Sequence, residues 1–179
     1  GIIYDYFSTD EDPTKRSGIE IAGITFDVNN TSNISAIQIP SSENLYIHNN
    51  RFINSFNLWG VKIGDIGGVL GSETEADYDA SASKGLRFEN NEVAYSKFST
   101  YEGVLCVNCR NYVISDNYFH DNTEGPAQLA VYVGSKNGVI SGNVFASSTM
   151  KAFYSSGVDN FVFSNNVSSQ ATGTISGGI

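Results

Sequence analysis

Four side chains in the middle of the chain are of types that move protons: Lys97, Tyr101, His120 and Glu124. Lys, His and Tyr can remove a proton beside a carboxylate and return one to a leaving oxygen, the two acts of a β-elimination. Asp121 and Glu124 are carboxylates in one short segment, and glycoside hydrolysis needs two carboxylates about 5 to 9.5 Å apart. The competing reading is that these are ordinary polar loop residues. Trp59 and Tyr95 are candidates for holding a substrate, because sugars stack on exposed rings; Asp121 and Lys151 would add polar contacts. For Trp59, core or loop packing competes with that role. An acidic stretch between Ile63 and Lys84 carries Glu73, Glu75, Asp77 and Asp79. Hard carboxylate oxygens suit Ca²⁺, and Asp77 and Asp79 are its best candidates, although the spacing is no full calcium loop. A solvated acidic loop is the alternative.

The remaining chemistry-bearing residues point to structure. His48 faces outward on a strand beside Glu89, which reads as a surface pair rather than a catalytic dyad. Tyr46 above Arg87 reads as a cation–π contact. Cys106 and Cys109 form a lone C-x-x-C without the further ligands of a zinc site; a local disulfide and two separate thiols both remain open. There is no phosphate-cradling Gly-rich loop and no nucleophile elbow.

Composition narrows the partners. Ten Lys and Arg stand against 19 Asp and Glu, a formal net charge of -9. That disfavours nucleic acid and anionic membrane surfaces, both of which need a basic footprint. No apolar run of spanning length occurs. A chain rich in Gly, Ser and Asn with many short apolar runs points to an all-β protein with many turns.

The elements that must position these residues are set by a repeat. Segments 44–52, 85–93, 111–119, 137–145 and 160–168 align without gaps, and 19–26 is a weaker copy. The equivalent positions Ile24, Asn50, Asn91, Asn117, Asn143 and Asn166 are spaced 26, 41, 26, 26 and 23. The long interval is one period plus a 15-residue insertion. Within a segment the residues alternate: Leu45, Ile47 and Phe52 point one way, Tyr46 and His48 the other. That is the period of a half-buried strand. A second strand follows at 36–39, 60–63, 103–107, 129–133 and 151–154. Such short periods stack as units, each burying its apolar face on the next. The reading is a right-handed, single-stranded parallel β-helix of about six coils. The Asn column is expected to take left-handed backbone at the bends and to hydrogen-bond from coil to coil. Phe52, Val93, Phe119 and Phe145 should stack inside. In this register Lys97 lies over Thr123 and Ala94 over His120, with coils about 4.8 Å apart. Lys97, Tyr101, His120 and Glu124 would then share one surface patch.

The repeated [Ile/Val/Phe]-x-x-Asn-x-[Phe/Val] pattern resembles the β-helix repeat of pectate-lyase-like proteins, over residues 19 to 170. That group spans polysaccharide lyases, hydrolases, epimerases and phage tailspikes. The resemblance implies a polysaccharide-active module, a lyase or hydrolase acting on an extracellular polysaccharide that can contain uronate. Lys97, Tyr101, His120 and Glu124 would be catalytic, and Ca²⁺ would neutralise sugar carboxylates. The alternative is a non-catalytic carbohydrate-binding or structural β-helix of a tailspike, adhesin or cell-surface protein. A periplasmic metal-delivery β-helix is a third reading, weakened because one Met and two His leave few soft ligands for copper. The expected partner is a polysaccharide, with no nucleic acid and no membrane, and the location is extracellular, cell-surface or virion. Residues 1–179 read as a single domain with an inserted loop at 64–84. It begins without Met and ends mid-coil, so it is expected to be a fragment whose caps come from further chain or partner subunits.

Overall fold

Short alternating strands that recur at one period bury the same face each time by stacking coil on coil, and the computed structural model shows that stack. It describes residues 3–4, 16–64, 78, 81–173 and 176–177. Asp77 and Asp79, with most of the acidic insertion, lie outside the described residues. Among the described residues every strand pairing is parallel, and each joins a strand to its equivalent in the next coil, as in Tyr46–His48 on Arg87–Glu89 on Val113–Ser115. The protein is a right-handed parallel β-helix. A complete coil carries four short strands, for example Ser42–Glu43, Tyr46–His48, Arg51–Ile53 and Val61–Ile63.

The bends explain why so many Asn residues recur. Asn49, Asn90, Asp116 and Asn165 have φ of 53 to 57°, and Gly23 and Gly142 fill the same place. These are residues whose side chains tolerate left-handed backbone. The left-handed residue is thus the one before each ladder asparagine, not the ladder asparagine itself as the sequence suggested. A second left-handed column stands one strand later, at Asn54, Tyr95, Asp121 and Ser147.

The ladder asparagines are freed to point inward. Asn117 is 1% exposed. Its Nδ2 donates to Phe88 O at 2.9 Å and to Asn143 Oδ1 at 2.9 Å. Its Oδ1 accepts from the backbone N of Asn91 at 2.9 Å and from Asn91 Nδ2 at 3.1 Å. The same pattern recurs at Asn50, Asn91 and Asn143, and Asn166 closes it. Each buried amide is therefore fully paired, which removes the cost of burying it. Beside the ladder the expected ring column forms: Phe26 stacks on Phe52 with centroids 5.0 Å apart, and Phe119 on Phe145 at 4.9 Å. Each such ring, fully buried, contributes about 1.5 to 3 kcal/mol.

The insertion is larger than the spacing of the asparagines suggests. Ser83 follows Ile63 by 20 residues, whereas the equivalent Cys109 follows Cys106 by three. The excess there is 17, and two residues are taken back between Phe52 and Ile63. The strands re-enter register across it, with Lys84 paired to Glu43. The excursion therefore leaves and rejoins one corner without disturbing the stack. Cys106 and Cys109 span the equivalent corner one coil later, joined by a disulfide.

Candidate functional site

Outward-facing positions of the strands Arg51–Ile53, Glu92–Ala94 and Tyr118–His120 build the best-formed polar cluster. In register, Arg51, Glu92 and Tyr118 form one row, and Ile53, Ala94 and His120 another. Arg51 Nε donates to Glu92 Oε2 at 2.7 Å. His120 Nε2 lies 3.1 Å from Glu92 Oε1, and its Nδ1 lies 2.8 Å from Asp121 Oδ2. Burial alone would raise the Glu92 pKa, but the hydrogen bonds from Arg51 and His120 outweigh it and hold the carboxyl below its ordinary value.

Two tyrosines cover this cluster. Tyr118 stacks on the His120 ring at 4.1 Å, and Tyr95 meets it edge-on at 5.2 Å. Both remain open to solvent, Tyr95 at 50% and Tyr118 at 46%. They are the only aromatic residues so exposed among the described residues. Tyr95 is also strained: it holds φ 55° in the left-handed column that otherwise carries Asn54, Asp121 and Ser147. A bulky residue in that region costs energy and directs attention to the site it serves. Here the conformation presents its ring beside His120.

The four residues expected to share one patch divide among three clusters. His120 belongs to the cluster just described. Lys97 pairs with Glu124, Nζ to Oε1 at 2.8 Å, at the next corner, where Lys97 also lies over Phe56 and pairs with Thr123 in the expected register. Tyr101 meets Trp59 edge-on at 4.6 Å on the following face. There Glu102 is 6% exposed and accepts from Trp59 Nε1 at 3.0 Å and from the Tyr132 hydroxyl at 2.6 Å. Burial, aided by Glu102, pushes the Tyr132 phenol well above its ordinary value. Lys151 lies over Tyr154, which meets Tyr132. Of the expected substrate-holding residues, Tyr95 and Asp121 join His120, while Trp59 and Lys151 stand on this other band.

Several residues had not been singled out by sequence reasoning. Tyr118, Glu92 and Arg51 occupy the x of each Asn-x-[Phe/Val] step, the outward position between a ladder Asn and a core ring. That placement was a readable signal. Glu89 lies beside His48 in register, as expected, but its carboxylate pairs with Arg87. His48 turns to Glu20 in the preceding coil, at 2.8 Å. The Tyr46–Arg87 contact forms, at 4.5 Å.

A parallel β-helix whose outer face presents an aromatic platform on a charged frame is the class that this geometry defines. The family model described as "Periplasmic copper-binding protein (NosD)" matches residues 56–176, about two thirds of the chain, and the chain belongs to that family. The family's periplasmic description agrees, at that coarse level, with the expected location outside the cytoplasm. No curated protein and no solved structure matches the chain.

The copper in that description finds a poor fit. Among the described residues no three His, Cys, Asp or Glu side chains group as a metal site. Both cysteines are in the disulfide. Met150 is 1% exposed, within the core. His48 and His120 are two coils apart on different strand rows. Calcium gains no support from the described residues either.

Proposed function

We propose that this chain is a non-catalytic carbohydrate-binding β-helix module that works outside the cytoplasm, using Tyr95 and Tyr118 as a stacking platform for a polysaccharide. The carrying observation is the strained, half-exposed Tyr95 set against His120 beside Tyr118. Rings with an apolar face and a polar edge suit the C–H faces and hydroxyls of sugars. Asp121, 47% exposed, and Glu92 offer acceptors to those hydroxyls. Binding is favoured over cleavage because the proton-transfer candidates are committed to separate partners. Lys97 is held by Glu124, and His120 by two carboxylates. The frame also carries more negative than positive charge, with Asp27 and Glu92 beside Arg51 and Asp121 on His120. Neutral polymers should therefore bind better than alginate or pectate, most clearly at low salt.

Affinity gel electrophoresis against neutral glucans, mannans, alginate and pectate tests this reading. Retention by a neutral polymer, weakened about tenfold in Tyr118→Ala, is expected, a loss of about 1.4 kcal/mol. Retention by none of the polymers would overturn it. So would new reducing ends or the ultraviolet absorbance of unsaturated uronate, which would restore the lyase or hydrolase.

A further inference from the structure

The family description names copper, and the donors in this chain can be followed one by one. Copper in its reduced form prefers thiolate and thioether, and in its oxidised form imidazole. The chain has two Cys, two His and one Met, and all five lie among the described residues. We infer that the coil stack, with its disulfide closed, holds no copper through its Cys, His or Met side chains, because each of these donors is already committed to structure.

The commitments are specific. Cys106 and Cys109 are each 0% exposed and bonded to one another, so neither sulfur is a thiolate. Met150 packs in the core under Gly125, where an added Cβ would meet its methyl at 2.7 Å. His48 accepts from Asn49 Nδ2 at Nδ1, 3.0 Å away, and donates from Nε2 to Glu20 at 2.8 Å. Both ring nitrogens of His120 face carboxylate oxygens, and the ring is covered by Tyr95 and Tyr118. A metal at either imidazole would have to displace a cross-coil tie at Nε2 or the bond to the adjacent residue at Nδ1. It would then find no second soft donor in the same row, since His48 and His120 stand two coils apart. In this chain, the histidines serve as ties between coils.

The test uses the folded, oxidised chain and copper itself. Cu(I) is supplied anaerobically from a chromophoric chelator, and Cu(II) binding is followed by electron paramagnetic resonance. The expected result is that the chelator keeps its copper and that no imidazole-nitrogen hyperfine structure develops. Uptake that begins only after a phosphine reduces Cys106–Cys109 also supports the inference, since it traces the metal to the released thiols. One copper per chain withdrawn from the chelator by the oxidised protein would overturn it. Nitrogen hyperfine structure in the wild type that disappears in His48→Gln or His120→Gln would do the same. Circular dichroism of each variant verifies that it is folded.

Discussion

The ladder asparagines act as single residues with several dependants. Removing the Asn117 side chain strands the Phe88 carbonyl and the Asn91 backbone N–H in the interior, and leaves Asn143 Oδ1 with the Asn117 backbone N–H alone of its two donors. An unpaired buried polar group costs about 1 to 3 kcal/mol, so Asn117→Ala should lose about 3 kcal/mol. Asn166→Ala, at the half-buried last rung, should lose about 1 kcal/mol by the same reasoning. Urea denaturation of the two variants gives the comparison, and equal losses would sink the ladder argument. Glu92 makes a pH prediction at the same scale. Its folded pKa lies below its ordinary value, so its contribution is fully present above the unfolded carboxylate pKa of about 4.5 and is lost as pH falls through the lower folded value. Glu92→Gln should therefore destabilise the protein at neutral pH and flatten its acid-limb loss. Midpoints measured at pH 7 and near pH 3 should converge between variant and wild type.

At the scale of the element, the bends decide what a strand can present. The column of Asn54, Tyr95, Asp121 and Ser147 turns the chain at the end of the platform strand. Asn and Asp fit that backbone; tyrosine does so at a cost. Tyr95→Asn should raise stability by about 0.5 to 1 kcal/mol, because it relieves left-handed strain. The same change should weaken polysaccharide retention. Opposite signs in the two measurements would identify Tyr95 as kept for binding, whereas a loss of stability would mean that its ring is needed for packing. The strands themselves are short, three residues each in Tyr46–His48 and Arg51–Ile53. Their stability comes from the neighbouring coils rather than from local propensity.

At the scale of the whole molecule, the coil stack tolerates departures at its corners. The insertion rejoins the ladder in register, and Asn108 helps to fasten its returning end: its Nδ2 donates to Tyr78 O at 2.8 Å and to Ser81 Oγ at 2.9 Å. Deleting residues 65–81 would connect Gly64 directly to Ala82 and restore the chain length of the Cys106–Cys109 corner. The variant should keep its β-sheet circular dichroism and a single cooperative unfolding transition, at a loss of about 1 to 2 kcal/mol from the severed Asn108 bonds. Loss of cooperativity would mean that the insertion helps to build the stack.

Much of this architecture was already legible in the amino-acid order. Period, register and inward rings follow from alternation and from the spacing of Asn50, Asn91, Asn117, Asn143 and Asn166, because a repeat has to bury the same face each time. The outward row of Arg51, Glu92 and Tyr118 was implied by the same register. Only the tertiary structure decided which outward residues meet. Lys97 and His120 are near in sequence register, yet a left-handed corner at Asp121 turns the chain between them, and each finds a carboxylate of its own. The spacing of chemically able residues says which coil they belong to. The side chain's direction at each bend, and the partner waiting there, determine whether proton-transfer groups become a catalytic set or ties between coils.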